Sequence, residues 1–135
     1  YKFERLTVED GSQSFRVYDI AQDDKGFLWI GTMNGISRYD GFEFRNYQHD
    51  EADSSSLSSN IARSLLVDRA GTLWVGTDEG GLNRFDRTTE RFTRFEHDPT
   101  NPRSITKGNI RALCEDKAGN IWIGTATGYF YGIGA

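Results

Sequence analysis

The chain has one cysteine, two prolines and two histidines in 135 residues, and nowhere does it approach 18 consecutive apolar residues. A single cysteine, Cys114, excludes an intrachain disulfide framework. It stands in the apolar run 110–114, where a buried, inert thiol is expected. Lacking a long apolar run, the sequence offers no membrane-spanning helix and no signal-peptide pattern. Basic residues do not cluster, and 16 of them against 20 acidic ones leave a net charge of −4. That balance argues against nucleic acid as a partner, since phosphates call for a basic face. Two histidines, His49 and His97, are too few and too far apart for a metal centre. The run 50–59 has no calcium-loop spacing, so no metal and no cofactor is expected. Hydrolase, metalloprotease and phosphate-loop motifs are all missing, and no histidine neighbours a candidate nucleophile. These absences weigh against an enzyme.

What is abundant is repetition. Trp29-Ile30-Gly31-Thr32 returns as Trp74-Val75-Gly76-Thr77 and again as Trp122-Ile123-Gly124-Thr125, 45 and then 48 residues further on. Internal periods of this size mean repeat architectures. Each tryptophan is preceded by Asp-x-x-Gly, at Asp23–Gly26, Asp68–Gly71 and Asp116–Gly119. Aspartate bonds the backbone ahead of it and glycine accepts positive φ, so these are hairpin turns between β-rich runs.

After each Gly-Thr comes a second glycine turn and a third apolar-polar alternation, Ile36–Tyr39 and Leu82–Phe85. A further turn leads to a fourth alternation, Phe42–Tyr47 and Phe92–Phe95. Four short strands per unit of about 45 residues is the mark of a β-propeller blade. The expected fold is therefore all-β, with four-stranded antiparallel blades over 12–47, 58–95 and 107–132. The whole of 1–135 is one partial domain, an incomplete ring unless it self-associates.

The third unit ends without a fourth strand, while Phe3-Glu4-Arg5-Leu6 resembles Phe92-Thr93-Arg94-Phe95. A strand over 3–6 would thus belong to a neighbouring or closing blade. Propellers use about 4–8 blades, so self-association of two three-bladed chains would reach an allowed number.

One large residue at a fixed register in every unit reads as core. Trp29, Trp74 and Trp122 are expected between blades, with Gly31, Gly76 and Gly124 allowing close backbone approach. Leu57 and Ile105 read as apolar pegs under the links between units, with His49 and His97 as hydrogen-bonded turn residues. Binding residues should instead differ between units. Eleven residues before each tryptophan stand Tyr18, Arg63 and Arg111, which suit a hydroxylated or anionic ligand. The competing reading pairs the arginines with Asp19, Glu115 or carboxylates of the links.

The stretches Asp23–Asp40, Asp68–Asp86 and, in part, Asp116–Gly128 resemble the two-component-regulator propeller repeat. So do the links His49–Leu57 and His97–Ile105, and the opening 3–11 resembles the start of such a sensor domain. The tail 129–135 departs from the pattern, with Tyr131-Gly132-Ile133 where unit two has Arg84-Phe85-Asp86. The resemblance implies the periplasmic sensor of a hybrid two-component system, in which kinase and response regulator share one membrane-anchored chain. It implies a non-catalytic role in which an oligosaccharide is sensed and utilisation genes are transcribed. Any membrane contact would run through other segments of such a parent. The alternative is a propeller scaffold for protein–protein interaction.

Overall fold

A computed structural model describes residues 1–6, 16–128 and 130–133, and the fold is built from the turns outward. In each unit the aspartate of Asp-x-x-Gly does three jobs. Asp23 accepts Gly26 N–H through its main-chain oxygen, and Lys25 and Phe27 N–H through Oδ1. Its Oδ2 accepts the Trp29 indole N–H at 2.9 Å. Trp74 on Asp68 and Trp122 on Asp116 repeat that bond, both at 2.9 Å. The glycines close the turns at φ +86°, +84° and +89° (Gly26, Gly71, Gly119), a region open to glycine and strained for others.

These turns join β1 (Val17–Gln22) to β2 (Leu28–Thr32), β5 (Ala62–Val67) to β6 (Leu73–Thr77), and β9 (Ile110–Glu115) to β10 (Ile121–Thr125). Thr32 and Thr77 each donate a hydroxyl to a glycine carbonyl in the next turn, Gly35 and Gly81, at 2.8 Å. From there run β3 (Gly35–Tyr39), β7 (Leu82–Asp86) and β11 (Phe130–Ile133). Outermost lie β4 (Phe44–Tyr47) and β8 (Arg91–Phe95). The result is three antiparallel meanders, β1-β2-β3-β4, β5-β6-β7-β8 and the three-stranded β9-β10-β11, with no helix and no closed ring among the described residues.

The core lies between sheets. In the first joint Trp29, Ile36 and Ala21 of one sheet meet Leu65, Leu73, Val75, Phe85 and Phe92 of the next. The second joint sets Trp74, Leu82 and Leu66 against Ile110, Ile121 and Ile123. Leu57 in the first link is fully buried, and the His49 Nδ1–H donates to its carbonyl at 2.7 Å. The second link repeats the clamp, from His97 Nδ1 to the Ile105 carbonyl at 2.9 Å.

Polar bonds cross both joints. Asp19 Oδ2 accepts Leu65 N–H at 2.8 Å, and Arg87 reaches back to Asp24 at 2.7 Å and to Asp23 at 3.4 Å. Glu90 gathers Arg45 and the Tyr47 hydroxyl, and burial followed by that carboxylate raises the tyrosine's pKa. Across the second joint Arg69 holds Glu115 and the Asp116 carbonyl.

Two expectations need correction at the third sheet. Cys114 is exposed, not buried, and Trp122, read as a core residue, is 40 % exposed against 1 % for Trp29 and 7 % for Trp74. Cys114 pairs directly with Trp122, as Ala21 does with Trp29 and Leu66 with Trp74. The first two pairs are covered by a following sheet. Among the described residues none lies over the third pair, and both residues are exposed there. Residues 3–6 belong to no strand in the single chain, and Phe3 is 93 % exposed. Residues 7–15, 129, 134 and 135, to which the resemblance, the start of the first expected blade and the tail reading extended, lie outside the described residues.

Asp116 shows what the repeated carboxylate contributes. Hydrogen bonds from the Trp122 indole, then from Asn120, draw its pKa from the ordinary 3.8 down to about 2. A depressed pKa stabilises the fold above pH 3.8, and that contribution is lost as the pH falls toward about 2. Urea midpoints should therefore drop between pH 5.5 and pH 2.5, and drop less in Asp116→Asn; equal slopes in the two proteins would contradict the assignment.

Candidate functional site

The residues that vary between units converge on one backbone feature. Along each first strand the pairing slips by one residue, between Val17 and Asp19, between Ala62 and Ser64, and between Ile110 and Ala112. The residue passed over is Tyr18, Arg63 or Arg111. Each is the extra residue of a β-bulge, left out of the ladder and free to carry its side chain away from the sheet face. Bulges of this kind re-aim side chains and are frequent beside binding sites. The three strands are neighbours, β1 against β5 and β5 against β9, so the bulges line one rim of the arc.

At that rim Tyr18 and Arg63 come together. The Arg63 guanidinium lies 4.2 Å from the centre of the Tyr18 ring, a cation–π stack across the first joint. On its other side Asp78 takes the fork, with Arg63 Nε at 3.0 and 2.9 Å from the two carboxylate oxygens and Nη2 at 2.8 Å. This partner, first among the causes, raises the arginine's pKa further. For Arg63 the competing reading of a carboxylate partner holds, but the partner is Asp78 and neither Asp19 nor Glu115. Asp19 is occupied by Leu65 N–H and Glu115 by Arg69.

Arg111 is placed differently. It is exposed, and no hydrogen bond or ion pair reaches it from the described residues. The reason is one substitution between units. The turn residue that is Asp78 in unit two is Met33 in unit one and Ala126 in unit three, each donating its N–H to the residue before its first strand or one nearby, Ile61, Arg16 and Asn109. Asp78 was not singled out from the sequence, although the same test of variation between units would have found it. The rim thus presents an aromatic edge, a fixed and neutralised guanidinium, and a cation without its carboxylate.

Other features are structural. Trp29, Trp74, Gly31 and Gly76 lie within the joints, and Gly124 opens onto the uncovered face of the third sheet. Among the described residues no three histidine, cysteine, aspartate or glutamate side chains converge as metal ligands, and no helix is long and apolar enough to cross a membrane.

Comparison with known proteins gives concordant results. The family model described as two component regulator propeller matches residues 11–34, 56–79 and 104–127, more than half of the chain. The extracellular domain of the putative hybrid two component system BT3049 from B. thetaiotaomicron superposes with a TM-score of 0.84 at 26% identity, covering 97% of this chain and 20% of that one. The corresponding domain of BT4673 gives 0.70 at 28% identity, over 87% of this chain and 16% of its own. Histidine kinase P4 of Formosa agariphila is 40% identical over 58 residues, 43% of this chain and 4% of the kinase. A virginiamycin B lyase from Staphylococcus aureus shares the fold alone, with a TM-score of 0.58 at 18% identity. The chain spans about a fifth or less of the length of the signalling proteins it resembles.

Proposed function

Because the chain belongs to the two component regulator propeller family, we propose that it is a non-catalytic, ligand-sensing part of a hybrid two-component signalling protein. Its place is then outside the cytoplasm, in the periplasm. The ligand is an oligosaccharide, and its recognition governs transcription of utilisation genes through the kinase of the parent protein. The likeness to extracellular domains of such systems supports this reading. The observation that carries the ligand is the row of bulges. One register, held in the same backbone device three times, bears tyrosine, compensated arginine and uncompensated arginine. A scaffold repeats what it needs for folding; a binding rim changes residue where the ligand changes group.

The roles follow from the chemistry. Arg111 offers a guanidinium fork to a carboxylate or to paired hydroxyls of a sugar. Tyr18, stiffened by the Arg63 stack, supplies a flat edge and a hydroxyl. Thermal-shift measurements across neutral and uronate-bearing oligosaccharides test this. Ligand in about 100-fold excess over its dissociation constant adds about 2.7 kcal/mol to the native state, so a clear rise in melting temperature is expected for an acidic sugar. Arg111→Ala should melt at the same temperature without ligand and lose the rise. No shift with any member of the panel would overturn the sugar reading in favour of a protein-binding scaffold.

A further inference from the structure

Among the described residues, Glu79 at φ +65° and Glu90 at φ +58° are the non-glycine residues with positive φ. That region crowds any side chain with a Cβ. At Glu90 the fold itself uses the side chain. Its carboxylate accepts the Tyr47 hydroxyl at 2.9 Å and faces Arg38 at 3.7 Å, with Arg45 bound as well, all across the first joint. At Glu79 it does not. That residue is exposed, and no hydrogen bond or ion pair reaches its carboxylate from the described residues.

The backbone at Glu79 is fixed from both flanks. The loop of unit three closes on Phe130 as that of unit two closes on Leu82, with the same length, and it puts a positive φ on a glycine, Gly128. In unit two the neighbouring glycine is committed elsewhere, since a Cβ on Gly80 would lie 2.6 Å from Ser58 Oγ and 2.9 Å from Ser59 Cβ. On the other flank Asp78 donates its N–H to the Ile61 carbonyl at 3.0 Å and holds Arg63 with its carboxylate. The left-handed turn therefore falls on residue 79. Its N–H donates to Asn109 Oδ1 at 3.2 Å across the second joint, a bond that any residue but proline can make. The fold thus asks for a left-handed residue here, which glycine or asparagine takes at less cost. It does not ask for a carboxylate.

The tethers place that carboxylate on the rim. Its chain neighbour Asp78 holds Arg63, and Asn109, to which its N–H is bonded, stands two residues before Arg111. Arg63 is already answered by Asp78. A guanidinium only donates hydrogen bonds and a carboxylate only accepts them. A ligand on this rim therefore meets a donor fork at Arg111 and an acceptor on the adjoining turn at Glu79.

We propose that Glu79 sets the selectivity of the rim. Its carboxylate takes a pair of hydroxyls on the sugar beside the acidic unit held by Arg111, and it excludes sulfate esters from those positions. The proposal rests on the reading of the rim as a sugar site. A hydroxyl donates to the carboxylate. A sulfate ester replaces that donor with a negative charge and with oxygens that only accept, so two anions would stand face to face. Because both flanks hold the backbone, the acceptor is set in place before the ligand arrives. The ligand class is then an unsulfated uronate-bearing oligosaccharide, and not its sulfated counterpart.

Isothermal titration calorimetry of the 135-residue chain, with uronate-bearing oligosaccharides and the O-sulfated form of each, tests this role. The unmodified chain should prefer the unsulfated form by roughly tenfold or more in Kd. Glu79→Gln, of nearly the same size, should bring the two forms within about twofold, while Arg111→Ala should lose both. Salt at about 1 M should shrink the preference of the unmodified chain, because it screens like charges. Glu79→Gly relieves the backbone and should melt no lower than the unmodified chain, so a loss of selectivity there is not a loss of fold. Binding that Arg111→Ala abolishes but whose selectivity Glu79→Gln leaves unchanged overturns the role of Glu79 and leaves the sugar reading standing. Equal or tighter binding of the sulfated form by the unmodified chain overturns it too. If no member of the set binds, the sugar reading fails and the role of Glu79 fails with it.

Discussion

Replacing Trp29 with alanine is expected to destabilise the fold by about 3–5 kcal/mol, a large part of the roughly 5–15 kcal/mol that a domain of this size commands. The side chain is 1 % exposed and its ring meets Phe85 at 5.1 Å and Tyr47 at 5.9 Å. Removing it opens a cavity in the first joint. It also strips a donor from Asp23, whose side chain is 1 % exposed, and a buried acceptor left short of partners costs about 1–3 kcal/mol. Trp122→Ala removes the same indole bond from a residue that is 40 % exposed, so its cost should be less than half as large. Urea unfolding of both variants, at concentrations where the chain is a single copy, decides the point. Equal losses would mean that the three tryptophans work as local turn anchors and not as joint filling.

Gly76→Leu should be nearly as damaging, at about 3 kcal/mol or more of overpacking. A Cβ there falls 2.3 Å from Ser64 Oγ, 2.4 Å from Ile110 Cγ2 and 3.0 Å from Ile110 Cβ, and the last is a strand residue with little room to retreat. The side chain can be admitted only by prising the third sheet off the second. Proteolysis should then cut between residues 107 and 133 while the first two sheets stay protected. The same substitution at Gly124 should leave a single copy's stability within about 0.5 kcal/mol. If Gly76→Leu unfolded no more readily than Gly124→Leu, the second joint would not be as tight as the geometry says.

Those contrasts mark where the sequence was legible. The fourfold alternation, the Asp-x-x-Gly turns and the tryptophan register follow from short-range chemistry, and the sheets appear where that chemistry places them. The clamp of His49 on Leu57 was likewise readable from the matched links. What the sequence withheld was the environment of the end units. Cys114 sits in an apolar run like those of units one and two, and a run does not say whether a sheet covers it. The indole-to-aspartate bond escaped because Asp23 and Trp29 each had a sufficient reason alone, one as a turn residue and the other as core. At the rim, the register of Tyr18, Arg63 and Arg111 was visible, but the bulge that lifts them out of the ladder was not. Bulges are a property of strand pairing, and residue 18 reads like any other strand position. Asp78 lies in a glycine-rich turn, and a turn signal does not reveal that its carboxylate reaches Arg63 fifteen residues earlier.

The bond between each tryptophan and its aspartate spans six residues, in all three units. A DNA segment long enough to encode one hairpin therefore carries both partners. When such a segment is duplicated, the copy arrives with its indole already provided with an acceptor, and when one is deleted no orphan is left behind. The bonds that cross joints, from Arg87 to Asp24 or from Leu65 to Asp19, are not repeated among the described residues of the other units, so each joint has to be fitted by itself. Repeat number can thus change by whole hairpins without orphaning an indole, whereas every new junction needs contacts of its own.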